Sequence, residues 1–300
     1  MTAARLRLSD KDKIMNRIEL LGKSTAVCLL LLSSVIPLRA LDTADSDAEI
    51  YTGSLFRLSP VTDGVLLGTG LALDITAKIT ENKLSQISFA DENGFDTSCV
   101  NQLDRLFMMP YSKTIDYTST VLTCTTMLTP VLLLTTGKKE WLTIGTMYAE
   151  SLMFSWGIKE MMKNGISRYR PYMYESSIPA DKAENDDCMQ SFPSGHTSLA
   201  FTGASFTTFV FCRYYPDSPW TIPFIAGSYT LAAATAALRI TGGNHYLTDV
   251  LAGAVVGTVS GLLIPWLHTS VFQRKNSKAG TVKLYAFEAT LYGIDVVIRF

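Results

Sequence analysis

Five apolar segments, each close to the length of a membrane-crossing helix, constrain this chain more than any other feature. They are "DYTSTVLTCTTMLTPVLLLTT" (116–136), "EWLTIGTMYAESLMFSWGIKEMM" (140–162), "TSLAFTGASFTTFVFCRYY" (197–215), "TIPFIAGSYTLAAATAALRI" (221–240) and "DVLAGAVVGTVSGLLIPWL" (249–267). A helix needs roughly 20 apolar residues to cross the hydrocarbon core. All five are rich in Gly, Ala, Ser and Thr, which lets helices approach closely inside a bilayer. The composition agrees: 47% of the 300 residues are hydrophobic and 18% are charged. The expectation is an all-α membrane helical bundle of about five spans, with a soluble all-α bundle as the alternative.

The ends of the chain read differently. Residues 1–23 carry Arg5, Arg7, Lys11, Lys13, Arg17 and Lys23, and "STAVCLLLLSSVIPLRA" follows. A basic start, a short apolar core and a small residue near its end suggest an export signal or N-terminal anchor over 1–40. Residues 41–115 read as a periplasmic linker with amphipathic helices. Within them, 62–80 is apolar but interrupted by Asp63, Asp74 and Lys78, so a weakly inserted amphipathic helix is expected there. Residues 116–270 form the expected bundle and 271–300 a tail. The tail's "KLYAFEATLYGIDVVIRF" partly alternates, which suggests a strand or hairpin.

Orientation follows from the basic loops. With 62–80 not spanning, Lys138 and Lys139 fall in the cytoplasm, and so do Arg274, Lys275 and Lys278. That satisfies the positive-inside bias. Residues 163–196 and 239–248 then lie together outside. Net charge is −1, so nothing suggests a nucleic-acid partner. The five cysteines show no metal-ligand spacing. A Cys99–Cys188 bridge is conceivable, because both residues fall in outer loops.

Three polar clusters sit at that outer edge: "KNGISRYRP", "PSGH" and "RITGGNHYLTD". Lys163, Arg170 and Arg239 are cations suited to holding a phosphate and its developing charge. Singly, each is equally consistent with a snorkelling anchor. Ser194 and Gly195 open an apolar helix, where backbone N–H groups favour anions. They also suit a plain helix cap. His245 and Asp249 are four apart, so on a helix they share a face. A carboxylate bonded to one ring nitrogen leaves the other free to attack. His196 is then available as acid and base. Together these parts describe phosphoryl transfer without a required metal or other cofactor. The third histidine, His268, reads as interfacial and structural.

Lys-x6-Arg-Pro, Pro-Ser-Gly-His and Arg-x5-His-x3-Asp together resemble the signature of the type 2 phosphatidic acid phosphatase and vanadium haloperoxidase superfamily, in its membrane lipid phosphatase branch. The resemblance covers about residues 140–267. It implies that His245 becomes a phosphohistidine with Asp249 as its partner. It also implies that His196 is acid and base, and that Lys163, Arg170, Ser194, Gly195 and Arg239 bind phosphate. Leu238 stands where the family usually has Ser, so one hydrogen bond is expected to be missing. Gly243 fits the family pattern. The expected substrate is a lipid phosphate or pyrophosphate, met at the periplasmic face of an inner membrane. The alternatives are a periplasmic non-specific acid phosphatase, a haloperoxidase and a non-catalytic lipid-phosphate-binding membrane protein.

Overall fold

The structure is a computed structural model that describes residues 55–84, 97–175 and 186–269, together with the backbone of 287–291 and 294–298. The expected export signal at 1–40 lies outside the described residues, as do the first part of the linker and most of the tail. Six long helices organise what is described. They are α1 (Pro60–Leu84), α3 (Lys113–Met127), α4 (Trp141–Ile166), α5 (Gly195–Tyr214), α6 (Thr221–Thr241) and α7 (Leu247–Leu267). The short α2 (Gln102–Arg105) lies between the first two, and a 3-10 segment, Thr129–Thr136, continues α3. Near the C-terminus, β1 (Phe287–Leu291) and β2 (Ile294–Ile298) pair antiparallel, with Phe287 opposite Ile298. The all-α expectation therefore holds for the body of the chain, and the hairpin falls where alternation suggested one.

The bundle is polar inside and apolar outside, the reverse of a water-soluble core. Ser119, Thr123, Thr126, Ser151, Ser155, Ser198, Thr202, Ser205 and Thr207 are buried, whereas Val121, Leu132, Leu142, Trp156, Ile222, Leu251 and Val255 are exposed. The buried hydroxyls are hydrogen-bonded. Ser155 Oγ and Ser198 Oγ are 2.7 Å apart, and the Thr202 hydroxyl donates to Ser155 Oγ at 2.8 Å. Among the described residues, three helical stretches are long and apolar enough to cross a membrane on length and composition alone: Lys113–Thr136, Thr221–Thr241 and Leu247–Leu267. The other two expected spans, α4 and α5, are as long but more polar. α4 carries Glu150, Lys159, Glu160 and Lys163, and α5 is the central helix whose hydroxyls fill the interior.

α5 lies against α7 along a glycine strip. A Cβ on Gly253, Gly257 or Gly261 would stand 2.5, 2.1 or 2.6 Å from the carbonyl oxygens of Ser194, Ser198 and Thr202. Only glycine permits that approach, and it docks the start of α5 onto the start of α7. The Ser194 N–H donates to the Asp249 carbonyl at 2.9 Å, which joins two of the three motifs by backbone alone.

α1 is the helix expected over 62–80, and it packs into the bundle. It runs parallel to α4 along most of its length. Asp63 lies beside Glu150, Leu66 beside Phe154, Gly70 beside Met153 and Leu73 beside Gly157; Asn164 Nδ2 donates to the Ala77 carbonyl at 2.6 Å. Its buried face mixes Leu66, Leu73 and Ala77 with threonines. Leu71, Ile75 and Ile79 are exposed, while Thr62, Thr69 and Thr80 are buried. Phe56, just before it, packs with Leu133, Ile144 and Tyr214 at the end of the bundle that holds Lys138 and Lys139. α1 therefore starts at the basic-loop end and climbs to the other, so the residues expected as a periplasmic linker over 41–115 do not all lie on one side of the bundle. Single cysteines placed at Arg57 and at Lys138 are expected to react with an impermeant thiol reagent from one side of the membrane, and one at Ser98 from the other. Labelling of Arg57 and Ser98 positions from the same side would refute this arrangement.

Candidate active site

Three loops meet at the end of the bundle opposite Lys138. The first follows α4. It pairs with the stretch before α5, because the Ser191 N–H donates to the Arg168 carbonyl at 2.9 Å and the Arg170 N–H to the Cys188 carbonyl at 2.9 Å. The third is the turn Gly242–Tyr246 between α6 and α7. Gly243 sits there at φ 70°, and a Cβ on it would stand 2.5 Å from the Met109 carbonyl oxygen. No other residue fits that left-handed position against backbone without strain.

His245 is the centre of the arrangement. It is fully buried, and its Nδ1 lies 2.8 Å from the Ser191 carbonyl oxygen. A carbonyl only accepts, so Nδ1 carries the hydrogen and Nε2 the lone pair. Arg170 Nη1 donates to that Nε2 at 3.1 Å and to the Asn244 carbonyl at 3.2 Å. Arg170 is held in turn by Asp187, through Nε to its carbonyl at 2.9 Å and Nη2 to its carboxylate at 2.6 Å. Burial works against the Asp187 carboxylate, but Arg170 and Lys163 outweigh it and hold its pKa below the usual range.

Asp249 is placed differently from the sequence expectation. α7 begins at Leu247, so His245 and Asp249 do not share a helical face. Asp249 instead caps the helix start, accepting from the Tyr246 N–H at 2.9 Å. Its carboxylate stands 3.7 Å from His245 Nδ1, beyond hydrogen-bonding reach but close enough to favour positive charge on the ring. The carbonyl of Ser191 fixes the tautomer, and the Ser191 hydroxyl donates to Asp249 at 2.5 Å.

The other expected residues converge here as well. Arg239 is buried and bonds Asp116 and, at 3.0 Å, Ser119 Oγ. Ser119 thus supplies this arginine with a hydroxyl from α3. Among the described residues, Arg239 Nε has no hydrogen-bond partner. Lys163, Arg170 and Arg239 all act electrostatically on His245. His196 stands in the first turn of α5, with Nε2 3.1 Å from Thr120 Oγ1. Ser194 is buried before that turn, while Lys163, Gly195 and His196 are partly exposed, so the site opens on their side.

Several contributors were not singled out from the sequence. Arg168 joins Asp249 Oδ1 at 2.6 Å to Asp104 Oδ2 at 2.7 Å and lies 4.0 Å over the Tyr246 ring. Asp104 also accepts from the Thr248 N–H at 3.0 Å and hydroxyl at 2.6 Å. These bonds outweigh its burial and lower its pKa. Ser191 and Asp116 act as described above. Lys159 lies beneath the site, one turn before Lys163, where a Cβ on Gly195 would meet its Cδ at 3.3 Å. The Cys99–Cys188 pairing rests on a side chain, Cys99, that lies outside the described residues.

Burial, then Arg170, Arg239, Lys163 and His196, push the His245 pKa well below 6.5. The folded state therefore keeps this ring neutral where the unfolded chain protonates it, so stability is lost as pH falls below about 6.5. The thermal midpoint is expected to drop between about pH 7 and pH 5. The slope should be shallower in His245→Gln; an equal slope in both proteins would remove His245 as its source.

Residues 144–273, just under half of the chain, match the sequence model of the PAP2 superfamily. A lipid A 1-phosphatase of Porphyromonas gingivalis is 39% identical over 83 residues, which cover 28% of this chain and 17% of that protein. A PA-phosphatase related-family protein of Dictyostelium discoideum is 26% identical over 125 residues, or 39% of this chain and 46% of that protein. The chain thus spans less than half the length of either curated relative. A transmembrane PAP2-type phosphatidylglycerolphosphate phosphatase of Bacillus subtilis superposes with a TM-score of 0.41 at 17% identity, over 66% of this chain and 94% of that one.

Proposed function

We propose that the protein is a membrane phosphatase of the PAP2 kind, which hydrolyses a lipid phosphate or pyrophosphate through a phosphohistidine on His245; the match of residues 144–273 to the PAP2 superfamily model supports this. The observation that carries the reading is the His245 ring. One nitrogen is tied to a carbonyl and the other presents its lone pair to an arginine. In this mechanism Lys163, Arg170 and Arg239 bind the phosphate oxygens. The N–H groups of Gly195 and His196 at the start of α5 assist them. His245 Nε2 attacks phosphorus in line with the ester oxygen. As that bond breaks, His196 gives the departing oxygen its proton. His196 then takes a proton from water, which attacks the phosphohistidine and releases inorganic phosphate. Asp249 offsets the charge on the phosphorylated ring, and the three cations balance the equatorial oxygens.

A lipid substrate is supported by the surroundings. The helices that carry the motifs present apolar side chains outward, so a head group reaches this end of the bundle from the bilayer surface. The name of the Porphyromonas gingivalis relative points toward a glycolipid phosphate. With the basic loops in the cytoplasm, the site faces the periplasm across the inner membrane. The test is phosphate release by the detergent-purified chain across lipid phosphates, lipid pyrophosphates and soluble esters. Release confined to lipid substrates is expected. Release from soluble esters alone would favour a non-specific acid phosphatase, and binding without release would favour a lipid-phosphate-binding protein.

A further inference from the structure

The third histidine, His268 at the end of α7, takes no part in this reaction, and it is fully buried inside the protein. Its Nδ1 lies 2.9 Å from the Ile264 carbonyl oxygen, so Nδ1 carries a hydrogen and Nε2 is the nitrogen left to bind something else. Nε2 stands 2.9 Å from Asp63 Oδ1 and 3.3 Å from Glu150 Oε2. One ligand atom from each residue lies within 4.8 Å of the others. Glu150 is fully buried and Asp63 is partly buried, with its side chain 13% exposed. Two carboxylates and an imidazole thus converge from α4, α1 and the end of α7.

Two carboxylates this close, one of them fully buried, repel each other unless positive charge lies between them. A divalent cation balances both carboxylates and also uses the ring lone pair. The spacing fits it: ligand atoms about 2.0–2.1 Å from a tetrahedral Zn2+ stand about 3.3 Å from one another. The Ile264 carbonyl provides the outer hydrogen bond that orients a metal-bound imidazole. Imidazole with two carboxylates suits Zn2+ and its transition-metal neighbours better than Mg2+ or Ca2+.

We infer that Asp63, Glu150 and His268 form a binding site for a divalent transition metal, with Zn2+ the best match to the donor set. The site is structural. Glu150 is thirteen residues before Lys163 on α4, about 20 Å along the helix from the phosphate site. Its three ligands fasten the start of α1 to α4 and to the end of α7. The Arg57 N–H donates to the His268 carbonyl at 2.9 Å and Phe56 bridges to Thr269, so the metal would lock a junction the backbone already makes.

The test uses the full chain purified in detergent without added metal. Elemental analysis is expected to find about one Zn2+ per chain. Chelation should lower the thermal midpoint, and returned Zn2+ should restore it in a concentration-dependent way. Co2+ in its place should give visible d–d absorption of a low-symmetry site. H268Q and D63N are each expected to weaken Zn2+ more than about 100-fold, beyond the loss typical of outer-shell changes. H245A should bind Zn2+ as the parent does, which separates this site from the phosphate site. Should either ligand variant not fold, the Zn2+ titration and the Co2+ spectrum of the parent chain still decide. A parent chain with only trace metal, no Co2+ bands and a midpoint indifferent to Zn2+ would overturn the inference. Metal retained at full affinity in H268Q would do so as well.

Discussion

Replacing His245 by alanine is expected to lower phosphate release by about four orders of magnitude or more while leaving the protein folded. Among the described residues, the ring stands out in this site because its lone pair is both fixed in direction and surrounded by cations. Alanine removes that nucleophile. It also frees Arg170 Nη1 from one of its two acceptors, while the Asn244 carbonyl and Asp187 still hold the guanidinium. Substrate affinity should therefore survive, and the loss should fall on kcat rather than KM. The parent enzyme, quenched in acid-free denaturant during turnover of a radiolabelled phosphate ester, should carry acid-labile, base-stable label; H245A should carry none. Turnover within tenfold of the parent would end the case for His245 as nucleophile. The acid limb of the kcat/KM profile adds a second check. Burial and the neighbouring cations hold the His245 pKa well below 6.5, so the free enzyme should keep a neutral nucleophile in mildly acidic solution.

The parts of this site that sequence revealed are those with fixed spacing. Lys163 and Arg170 are seven apart, Pro193–His196 are contiguous, and Arg239, His245 and Asp249 form a short run. Their convergence follows once the intervening segments are helices of equal length. The supporting residues are legible only through tertiary packing. Asp104 comes from a four-residue helix far from its partners, and Asp116 and Ser119 come from α3. Arg168 stands two residues from Arg170, but spacing alone does not show that one faces the His245 ring nitrogen and the other Asp249. The four-residue interval of His245 and Asp249 misled for a related reason. It implies a shared helical face, whereas the helix starts between the two.

α1 shows how charges in an apolar run can mislead. Asp63 and Asp74 read as interruptions, and interruptions suggest a weakly inserted amphipathic helix. Both charges instead point into the bundle: Asp63 meets His268, and Asp74 Oδ1 would lie 3.2 Å from a Cβ on Gly157. In a bilayer, an ionisable side chain on a helix marks the face turned toward other helices. Read that way, the same residues identify α1 as a member of the bundle. His268 then has a partner that its place in the sequence does not disclose.

Arg168→Leu is expected to have the largest effect of any change outside the phosphate-binding residues. The guanidinium spans two buried carboxylates, donating to Asp249 from Nη1 and to Asp104 from Nη2. Leucine keeps much of the packing on the Tyr246 ring but removes the only cation shared by both acids among the described contacts. Stranding buried charge in this way costs about 3–5 kcal/mol. The lower end applies here, because Asp104 keeps Thr248 and Asn101, and Asp249 keeps Ser191 and Tyr246. Activity should fall further than stability requires. Asp249 is free to shift relative to the His245 ring, and a displacement of about 1 Å at a reacting group costs on the order of 100-fold in rate. Asp104→Asn separates the two effects. Combined with Arg168→Leu it leaves one stranded carboxylate instead of two, so the double variant should regain about 1 kcal/mol or more relative to additivity. Its kcat should stay low, because Asp249 has not recovered its partner. Arg168→Lys should sit between, since an ammonium meets one carboxylate at a time. Thermal melts and single-turnover rates on the four proteins measure both quantities. Additive stabilities, or full kcat in Arg168→Leu, would show that Arg168 neither bridges the acids nor positions Asp249.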